Sequence, residues 1–370
     1  MENNEIVIVG AGPAGIGMGI LLKKLGFESF VILDKGRVGA SFWQWPEEMK
    51  LITPSFTGQG FGALDLNAVA PGTSPAFTFQ REHLSGQEYG EYLALLAEHF
   101  ELPLAEGTAV HKLHKHDDGF SIETNHGIIK SKAVIWGTGE FQFPKLPFTG
   151  AELGLHNSKV AAWRQLKKGH YYVIGGYESA MDAAVQLASY GSDVTVVMPN
   201  ALQENAEADP SRSLSPYTWE RLEQAYEKGN VQFLEHVSVR KLTTNGAAYD
   251  LHLSDGRRIR SETRPIVATG FHSGAEQISR LFAWGEDGKP LLTKEDMSTK
   301  TEHLYLIGPS VRHQNAVFCF IYKFRQRFAV IAEHLLKKWD FALDEDVLAE
   351  YRNNQMFLDD LSCCEVECEC

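Results

Sequence analysis

The chain has 370 residues, of which 44% are hydrophobic and 22% charged, and its formal net charge is −13. The length indicates two domains, or one domain with a large insertion, and the composition is typical of a globular protein with a full-sized core. The acidic balance argues against nucleic acid or an anionic membrane as a partner.

Neither a signal peptide nor a membrane span is predicted. The first core strand begins by about residue 5, which leaves no room for a signal sequence. The most apolar late segment, residues 316–336, contains three basic side chains and is not expected to cross a membrane. We therefore expect a soluble, cytoplasmic protein.

The first predicted element is a βαβ unit with a glycine-rich turn. The apolar run Ile6–Val9 leads into a G-x-G-x-x-G sequence, and a helical pattern over Ile16–Leu25 follows. In that turn Gly10 permits the tight bend, Gly12 lets the backbone approach a pyrophosphate, and Gly15 lets helix and strand pack closely. The N–H groups and the positive dipole at the start of the helix then attract phosphate.

The second strand of this unit strengthens the prediction of a dinucleotide site. Phe30–Leu33 is followed by Asp34, and an acid about 20 residues after the last glycine accepts a hydrogen bond from the adenosine ribose. The next loop carries Ser41 and the aromatic residues Phe42, Trp43 and Trp45. These aromatic side chains either line the far half of a bound dinucleotide or belong to the core, and the sequence leaves both open.

A helix and an antiparallel meander come next. Gly86–Phe100 has helical spacing, with Ser85 as its N-cap. The strands Thr108–His116, Phe120–Thr124 and Ile128–Lys130 are separated by short polar turns. The first of them carries three histidines, but two differ in parity and would point to opposite faces of a strand, so no metal site is predicted.

The glycine turn is repeated, less completely, in a second βαβ unit. His170–Ile174 leads into Gly175-Gly-Tyr-Glu-Ser-Ala180, a helix over Met181–Tyr190 and the strand Asp193–Met198. Tyr177 stands where the second glycine belongs, so its Cβ should hold the phosphates further away or reroute the loop. The second strand is followed neither by an acid for a ribose 2′-hydroxyl nor by an arginine for a 2′-phosphate. The missing acid favours NADP slightly over NAD.

Two buried strands that flank this second unit, Ala133–Gly139 and Pro265–Gly270, both end in Thr-Gly, as suits a close approach to nucleotide. Later, Ser215 should cap a helix, and His303–Gly308 is a final buried strand. A helix is predicted from about Ala316 to Lys338. Its basic residues are Lys323, Arg325 and Arg327, and we interpret them as a solvated or cofactor-phosphate face.

This order of motifs resembles the flavoproteins with two dinucleotide-binding domains, and within them the flavin-containing monooxygenase-like group. The monooxygenase fingerprint is present only in a stretched form, Phe148-Thr-Gly150…His156…Trp163, and Pro309 replaces the acid usual after Gly308. The glycine turn at Gly175 also looks like that of bacillithiol disulphide reductases, which lack a redox cysteine pair.

The resemblance implies an α/β fold of two Rossmann-like three-layer domains, the second inserted into the first, each with a small antiparallel β meander. It implies FAD in the first domain (1–146 and 264–340), NADPH or NADH in the second (147–263), and a C-terminal segment over 341–370. The residues that the motifs and the resemblance assign to cofactor binding are Gly10, Gly12, Pro13, Ala14, Gly15, Asp34, Lys35, Ser41, Phe42, Trp43, Val110, Thr138, Gly139 and Gly308, with Gly175, Gly176, Tyr177, Glu178, Ser179, Thr269 and Gly270 for the second nucleotide.

Cysteine is concentrated at the end of the chain. The only cysteine before the tail is Cys319, predicted to be in the core, so neither a disulphide framework nor a redox pair beside the glycine turns is expected. The tail carries Cys363, Cys364, Cys368 and Cys370 among glutamates. They could form a dithiol that collects electrons at the flavin, a soft-metal site for Zn²⁺ or Cu(I), or an acidic end with free thiols.

The resemblance favours a monooxygenase-like oxidoreductase in which hydride passes from nicotinamide to flavin, with a small molecule and O₂ as substrates. The alternative is an NADPH-dependent disulphide or metal-ion reductase that uses the tail cysteines. A non-enzymatic alternative is a redox-sensing flavoprotein. The sequence leaves the substrate open, and it leaves the oligomeric state open between a monomer and a homodimer.

Overall fold

The computed structural model describes residues 4–57, 64–202 and 209–362. The strands are β1 Ile6–Val9, β2 Phe30–Leu33, β3 Leu104–Ala105, β4 Val110–His116, β5 Gly119–Thr124, β6 Gly127–Ser131, β7 Ala133–Trp136, β8 Leu155–His156, β9 His170–Ile174, β10 Asp193–Val197, β11 Val231–Leu234, β12 Val239–Thr244, β13 Tyr249–Leu253, β14 Arg258–Ser261, β15 Ile266–Val267, β16 Ala283–Trp284, β17 Pro290–Leu291, β18 Leu304–Leu306, β19 Arg312–His313 and β20 Ala316–Val317.

The α-helices are α1 Pro13–Lys24, α2 Ala40–Trp43, α3 Pro75–Phe79, α4 Gly86–His99, α5 Glu178–Ser189, α6 Pro216–Glu227, α7 Ile321–Phe324, α8 Phe328–Lys338 and α9 Glu345–Asn353. Short 3-10 helices include Ala151–Leu153, Asn157–Lys159, Trp163–Gln165, Gly274–Leu281 and Arg325–Arg327. Among the described residues, no helix combines the length and the apolar character that a membrane crossing requires.

The chain divides into two compact units, and the second is inserted into the sequence of the first. Within the described residues, the first unit takes residues 4–43, 53–140 and 273–362, and the second takes 44–52 and 141–272. The assignment of the first to FAD and the second to NAD(P)H stays a prediction at this point.

The first unit is built on a parallel sheet of five strands in the order β18-β7-β1-β2-β3. The central strand β1 is fully apolar and buried, because it is paired on both sides: Ile6 lies opposite Phe30 of β2 and Ala133 of β7. Helix α1 packs against α4 and α8. The meander β4-β5-β6 is antiparallel, as the turns in the sequence predict. The strands are parallel, and the strand order reverses at β1, with β2 on one side and β7 on the other. The carboxyl ends of β1 and β7 therefore form the crevice where such sheets bind ligands.

The second unit repeats this plan. Its parallel sheet has the order β11-β10-β9-β15-β8, and its antiparallel meander is β12-β13-β14. Helix α5 buries its small apolar face, which includes Ala180, Met181 and Ala184, against the parallel strands. The predicted fold class is therefore confirmed. Sequence analysis missed strand β12, Val239–Thr244, whose alternation is obscured by a register shift between Val239 and Lys241.

The prediction of one long helix over residues 316–338 is wrong in the extent of the helix and in the exposure of its arginine side chains. The structure has a short strand at Ala316–Val317, then α7, a 3-10 turn at Arg325–Arg327, and α8. The side chains of Arg325 and Arg327 are only 4% and 1% exposed, so they are not a solvated face. The 3-10 turn changes the helical phase there, and both guanidinium groups point into the first unit, where distant backbone carbonyls accept their hydrogen bonds.

Candidate functional site

Two of the three glycines in the first turn are required by the fold itself. Gly10 has φ +112°, and a Cβ there would lie 2.4 Å from the carbonyl oxygen of Gly137, at the end of β7. A Cβ on Gly15 would lie 1.8 Å from the carbonyl oxygen of Gly10. Backbone cannot move away from such contacts cheaply, so these positions bring β1, β7 and α1 close together.

The middle glycine faces open space. Gly12 is the N-cap of α1, no side chain caps the helix there, and a Cβ on Gly12 would meet nothing within 4 Å. The N–H groups of the first helical turn, which begins with Pro13 and Ala14, therefore face an open cradle with a favourable dipole. This arrangement fits a dinucleotide pyrophosphate.

Asp34 lies beside this cradle and fixes its shape. Its carboxylate oxygens accept hydrogen bonds from the N–H of Ala11, at 2.8 Å, and of Gly36, at 2.7 Å. Each oxygen retains a further lone pair, so the carboxylate can also accept a hydrogen bond from a ribose hydroxyl. Lys35, the next predicted residue, is exposed.

Three more predicted residues lie on the other side of β1. Gly308 follows β18 with φ +92°, and a Cβ there would lie 3.5 Å from the Cβ of Ala14 in the first turn of α1. Thr138 and Gly139 follow β7, and the carbonyl of Gly139 accepts a hydrogen bond from the N–H of Gly274 at 2.8 Å. The structure thus brings the glycines after β1, β7 and β18 to one edge of the sheet.

The aromatic loop is packed against the protein. Trp43 donates its indole N–H to the carbonyl of Val38 at 3.0 Å, and its ring lies 3.8 Å from the guanidinium of Arg37. Phe42 packs against Tyr89 with ring centroids 4.7 Å apart. Phe42 and Trp43 are half-buried, and their place beside a bound dinucleotide stays a prediction.

The other residues predicted to lie near the first dinucleotide, Ser41, Val110 and Trp45, are in different parts of the chain. Ser41 is in α2 and is half-buried. Val110 opens β4 and pairs with Thr124, beside a register shift in the meander. Trp45 belongs to the second unit, where its ring lies 6.4 Å from that of Phe141.

The second glycine turn follows the same course as the first. Gly175 has φ +144°, and a Cβ there would lie 2.2 Å from the carbonyl oxygen of Ala268. Tyr177, the N-cap of α5, has φ −123° and ψ −170°, close to the extended backbone of Gly12, which has ψ −172°. The loop is therefore not rerouted. The Tyr177 side chain is 49% exposed, and a Cβ on Gly176 would lie 3.3 Å from the Cβ of Met198.

Glu178, in the first turn of α5, is turned towards α6. Its carboxylate accepts hydrogen bonds from the N–H of Ser215 and, at 2.6 Å, from the hydroxyl of Thr218. Burial raises the pKa of this carboxyl, and the two hydrogen bonds oppose the rise. Ser215 caps α6 as predicted. Glu178 thus joins the starts of two helices, and the next residue, Ser179, is half-buried.

Thr269 and Gly270, after β15, are held by a neighbouring segment of the second unit. The hydroxyl of Thr269 donates to the carbonyl of Lys145 at 2.6 Å, and the N–H of Lys145 donates to the carbonyl of Gly270 at 2.9 Å. His156 lies 3.2 Å from the same Gly270 carbonyl, and burial lowers the pKa of its imidazole.

Sequence analysis missed two polar clusters that lie near the end of β18. In one, Ser310 donates to the carboxylate of Glu140 at 3.0 Å and accepts from Ser273 at 2.8 Å. In the other, a buried carboxylate, that of Asp296, joins His313 and Arg327. No local pattern marks these residues, because they come from segments far apart in the sequence.

The tail cysteines Cys363, Cys364, Cys368 and Cys370 lie outside the described residues. Cys319, predicted to be core, is half-buried. Within residues 4–57, 64–202 and 209–362, no group of three histidine, cysteine or acidic side chains is arranged to hold a metal ion.

Matches with known proteins span both glycine turns. A family model described as pyridine nucleotide-disulphide oxidoreductase matches residues 7–308. Bacilliredoxin reductase from Bacillus subtilis is 25% identical over 347 residues, covering 91% of this chain and 99% of that protein.

Solved structures share the fold. Bacillithiol disulfide reductase from Staphylococcus aureus matches with a TM-score of 0.75 and 21% identity, over 91% of this chain and 99% of that one. A flavin-containing monooxygenase from Stenotrophomonas maltophilia matches with a TM-score of 0.71 and 16% identity, over 92% and 100% of the two chains. At these identities the likeness is one of fold.

Proposed function

The chain belongs to the pyridine nucleotide-disulphide oxidoreductase family, and we propose that it is an FAD-dependent enzyme that uses NADPH or NADH to reduce a disulphide. The family uses a flavin and a nicotinamide cofactor. Family membership does not specify FAD, NADPH or the disulphide acceptor, so these three are proposed.

The first unit supplies the residues that would hold FAD. Gly12 and the first turn of α1 provide an open, positively polarised cradle for the pyrophosphate, and Asp34 provides an acceptor for the adenosine ribose. Gly139 and Gly308 leave room beside the other half of the molecule. Bound flavin would take two electrons from the nicotinamide and pass them on.

The second unit supplies the residues that would hold the nicotinamide nucleotide. Its turn at Gly175 has the backbone course of the first, and the N-terminus of α5 again lacks a side-chain cap. Asn200 follows β10 where an acid would select the ribose hydroxyl of NAD. The absence of that acid supports NADPH as the donor.

The observation that carries the choice of acceptor is the nearly complete alignment with a bacilliredoxin reductase, whose name specifies a thiol-disulphide partner. In the part of the chain that the structure describes, Cys319 is the only cysteine, and it lies in neither glycine turn. Electrons would therefore pass from the flavin to a bound disulphide, or to the tail cysteines first. A small-molecule or redoxin disulphide of the bacillithiol type fits this scheme.

Monooxygenation is the second candidate, because a flavin-containing monooxygenase shares the fold over 92% of this chain. The stretched monooxygenase fingerprint supports monooxygenation less strongly than the shared fold does. Its Trp163 is 1% exposed, and its His156 is largely buried against Phe271, so both belong to the packing of the second unit.

The proposal is tested by reconstituting the protein with FAD and supplying NADPH with one acceptor at a time. We expect rapid thiol production from bacillithiol disulphide without oxygen, and slower NADPH oxidation in air alone. Gly12→Ala is the matched control, because it should lose FAD while keeping the fold. An oxygenated product, with no thiol produced anaerobically, would favour the monooxygenase instead.

A further inference from the structure

The antiparallel meander of the second unit has one apolar face and one basic face. Directly paired residues of β12, β13 and β14 share a face of the sheet. On one face Leu242, Leu251 and Ile259 pack into the core of this unit. The opposite face, which we call the basic face, has two rows of paired residues: Lys241, His252 and Arg258, then Thr243, Asp250 and Arg260.

The positive charge of the basic face is only partly neutralised. Asp250 is the only acid among the paired residues of these three strands, and its carboxylate accepts a hydrogen bond from Arg258 at 2.6 Å. That hydrogen bond, together with the positive charges of Arg258, Arg260 and His252, lowers the pKa of Asp250. The side chains of Lys241 and Arg260 are exposed and make no hydrogen bond or ion pair with another described residue.

The first unit shows that a meander of this kind does not require a basic face. On its outer face Glu123 pairs with Lys112 at 3.6 Å and with His114 at 2.8 Å, and the apolar Ile128 stands opposite Glu123. Like charges on one face of a sheet repel and lower stability. Unpaired cations gathered on one face of a chain with net charge −13 therefore indicate an anionic occupant.

The shape of the basic face limits what it can hold. Its side chains stand on the surface of a sheet, and Arg258 and Arg260 are two residues apart on β14, which spaces them by about 6.6 Å. Lys241 lies two strands away, at about 9.6 Å. A single carboxylate cannot contact all three cations, whereas an extended chain with acidic side chains at alternate positions has the matching spacing.

The end of the chain contains such a segment. Residues 363–370 follow Ser362, the last described residue, and eight residues of extended chain reach about 26 Å. Alternate positions of this acidic tail are occupied by Glu365, Glu367 and Glu369. An extended chain presents alternate residues on opposite sides. The side opposite the glutamates would carry Cys364, Cys368 and Cys370.

We propose that the basic face is the docking site for the acidic tail, residues 363–370, of the same chain. Lys241, Arg258 and Arg260 would pair with the glutamates, and the thiols on the other side of the tail would stay accessible. Exposed ion pairs are individually weak, but a tethered segment has a high effective concentration, so a few of them suffice. This docking goes beyond the proposed function and does not depend on the identity of the electron acceptor.

Limited proteolysis of the full-length protein tests the docking, because a glutamyl endopeptidase cuts after the same glutamates. The reaction is run at low ionic strength with a reductant and a chelator, and loss of the tail is followed by the mass of the protein. Only the undocked tail is cut, so the rate reports the undocked fraction. In the double variant Lys241→Glu with Arg260→Glu, we expect the tail to be lost about tenfold faster than in the wild type. Salt at about 0.5 M should remove most of this difference by screening.

The matched control is the double variant Lys130→Glu with Lys228→Glu, which changes the net charge equally at two exposed positions outside the basic face. Lys130 is in β6 of the first meander, and Lys228 is the C-cap of α6. This control should lose its tail at the wild-type rate. If the charge-reversed variant fails to fold, Lys241→Gln with Arg260→Gln replaces it and should accelerate the cleavage in the same direction.

The outcomes separate this proposal from the proposed function. Equal cleavage rates in the wild type and the basic-face variants would overturn the docking, and so would equal acceleration in the control. Within one chain the protection should not change when the protein is diluted tenfold; protection that is lost on dilution would place the tail on a second copy and overturn docking within the chain. The measurement uses neither NADPH nor a disulphide, so failure of disulphide reduction would leave the docking intact.

Discussion

At the scale of single residues, the three glycines of the first turn meet different physical demands. Gly15 has backbone where a Cβ would go, whereas the same position on Gly12 is open. We expect Gly15→Ala to lower the free energy of unfolding by about 1–3 kcal/mol, the usual cost of overpacking. Gly12→Ala should cost less than about 1 kcal/mol as an N-cap change.

Flavin affinity should show the opposite order. In Gly12→Ala, which should keep the fold, the new methyl group would stand where the backbone must approach the pyrophosphate, so the FAD dissociation constant should rise about tenfold or more. Urea unfolding of the apoprotein and fluorescence titration with FAD measure the two effects separately. Unchanged FAD affinity in Gly12→Ala would place the pyrophosphate elsewhere.

The buried pair of Asp296 and Arg327 gives a second prediction at this scale. Asp296→Asn would leave a guanidinium that is 1% exposed without its charge partner. Breaking such a pair costs about 3–5 kcal/mol. The control is Asp255→Asn, since the pair of Asp255 with Arg257 is solvent-exposed and screened by water, so that its loss should change stability little. Equal losses of stability in urea would contradict this account.

One buried histidine and two half-buried ones make stability depend on pH. Burial lowers the pKa of His156, His303 and His334 from the ordinary value of 6.5. Below pH 6.5 the unfolded chain therefore binds protons that the folded chain does not, so this stabilisation is present above pH 6.5 and lost as the pH falls.

The melting temperature should accordingly decrease from pH 7 towards pH 5.5, and His156→Gln should make that dependence shallower. The exposed His111 gives the control, because His111→Gln should follow the wild-type curve. A melting temperature that rises on acidification over this range would contradict the lowered pKa values of these histidines in the folded chain.

At the scale of elements, the C-terminal segment is attached to the first unit through Leu358. Its N–H donates to the carbonyl of Gln326 at 3.0 Å, and its carbonyl accepts from Arg327. Removal of residues 363–370 keeps Leu358 and both of these hydrogen bonds. Removal of residues 354–370 should lower the melting temperature, because the buried Arg327 would lose an acceptor.

The shorter truncation also tests the tail cysteines. If they relay electrons, removal of residues 363–370 abolishes disulphide reduction while flavin reduction by NADPH persists. If the flavin reduces the bound disulphide directly, both activities survive. Metal content measured before and after the truncation tests the soft-metal alternative.

Some elements could be predicted from sequence because their signals are local. The turn from Gly10 to Gly15, the N-cap at Ser85 with its capping box, and the cap at Ser215 all act over a few residues, and all are present in the structure. The burial of Arg325 could not be predicted. Its acceptor at Asp65 lies 260 positions away, and a basic residue in an apolar segment usually points to solvent.

At the scale of the whole molecule, the fold was predictable from two glycine turns and their flanking strands, but the chemistry was not. The two halves of the candidate site after β7 and β18 meet only in the folded chain, so Glu140 and Ser310, or Asp296 and His313, leave no joint pattern in the sequence. The predicted monooxygenase activity rested on a resemblance, and the family match extends to the oxidoreductase class alone.

The most direct test of the central claim is an anaerobic titration of the FAD-loaded protein followed by its visible absorbance. One equivalent of NADPH should bleach the flavin, and one equivalent of a disulphide of the bacillithiol type should restore its colour with release of thiol. A flavin that NADPH bleaches but that only oxygen reoxidises would contradict the assignment of a disulphide reductase.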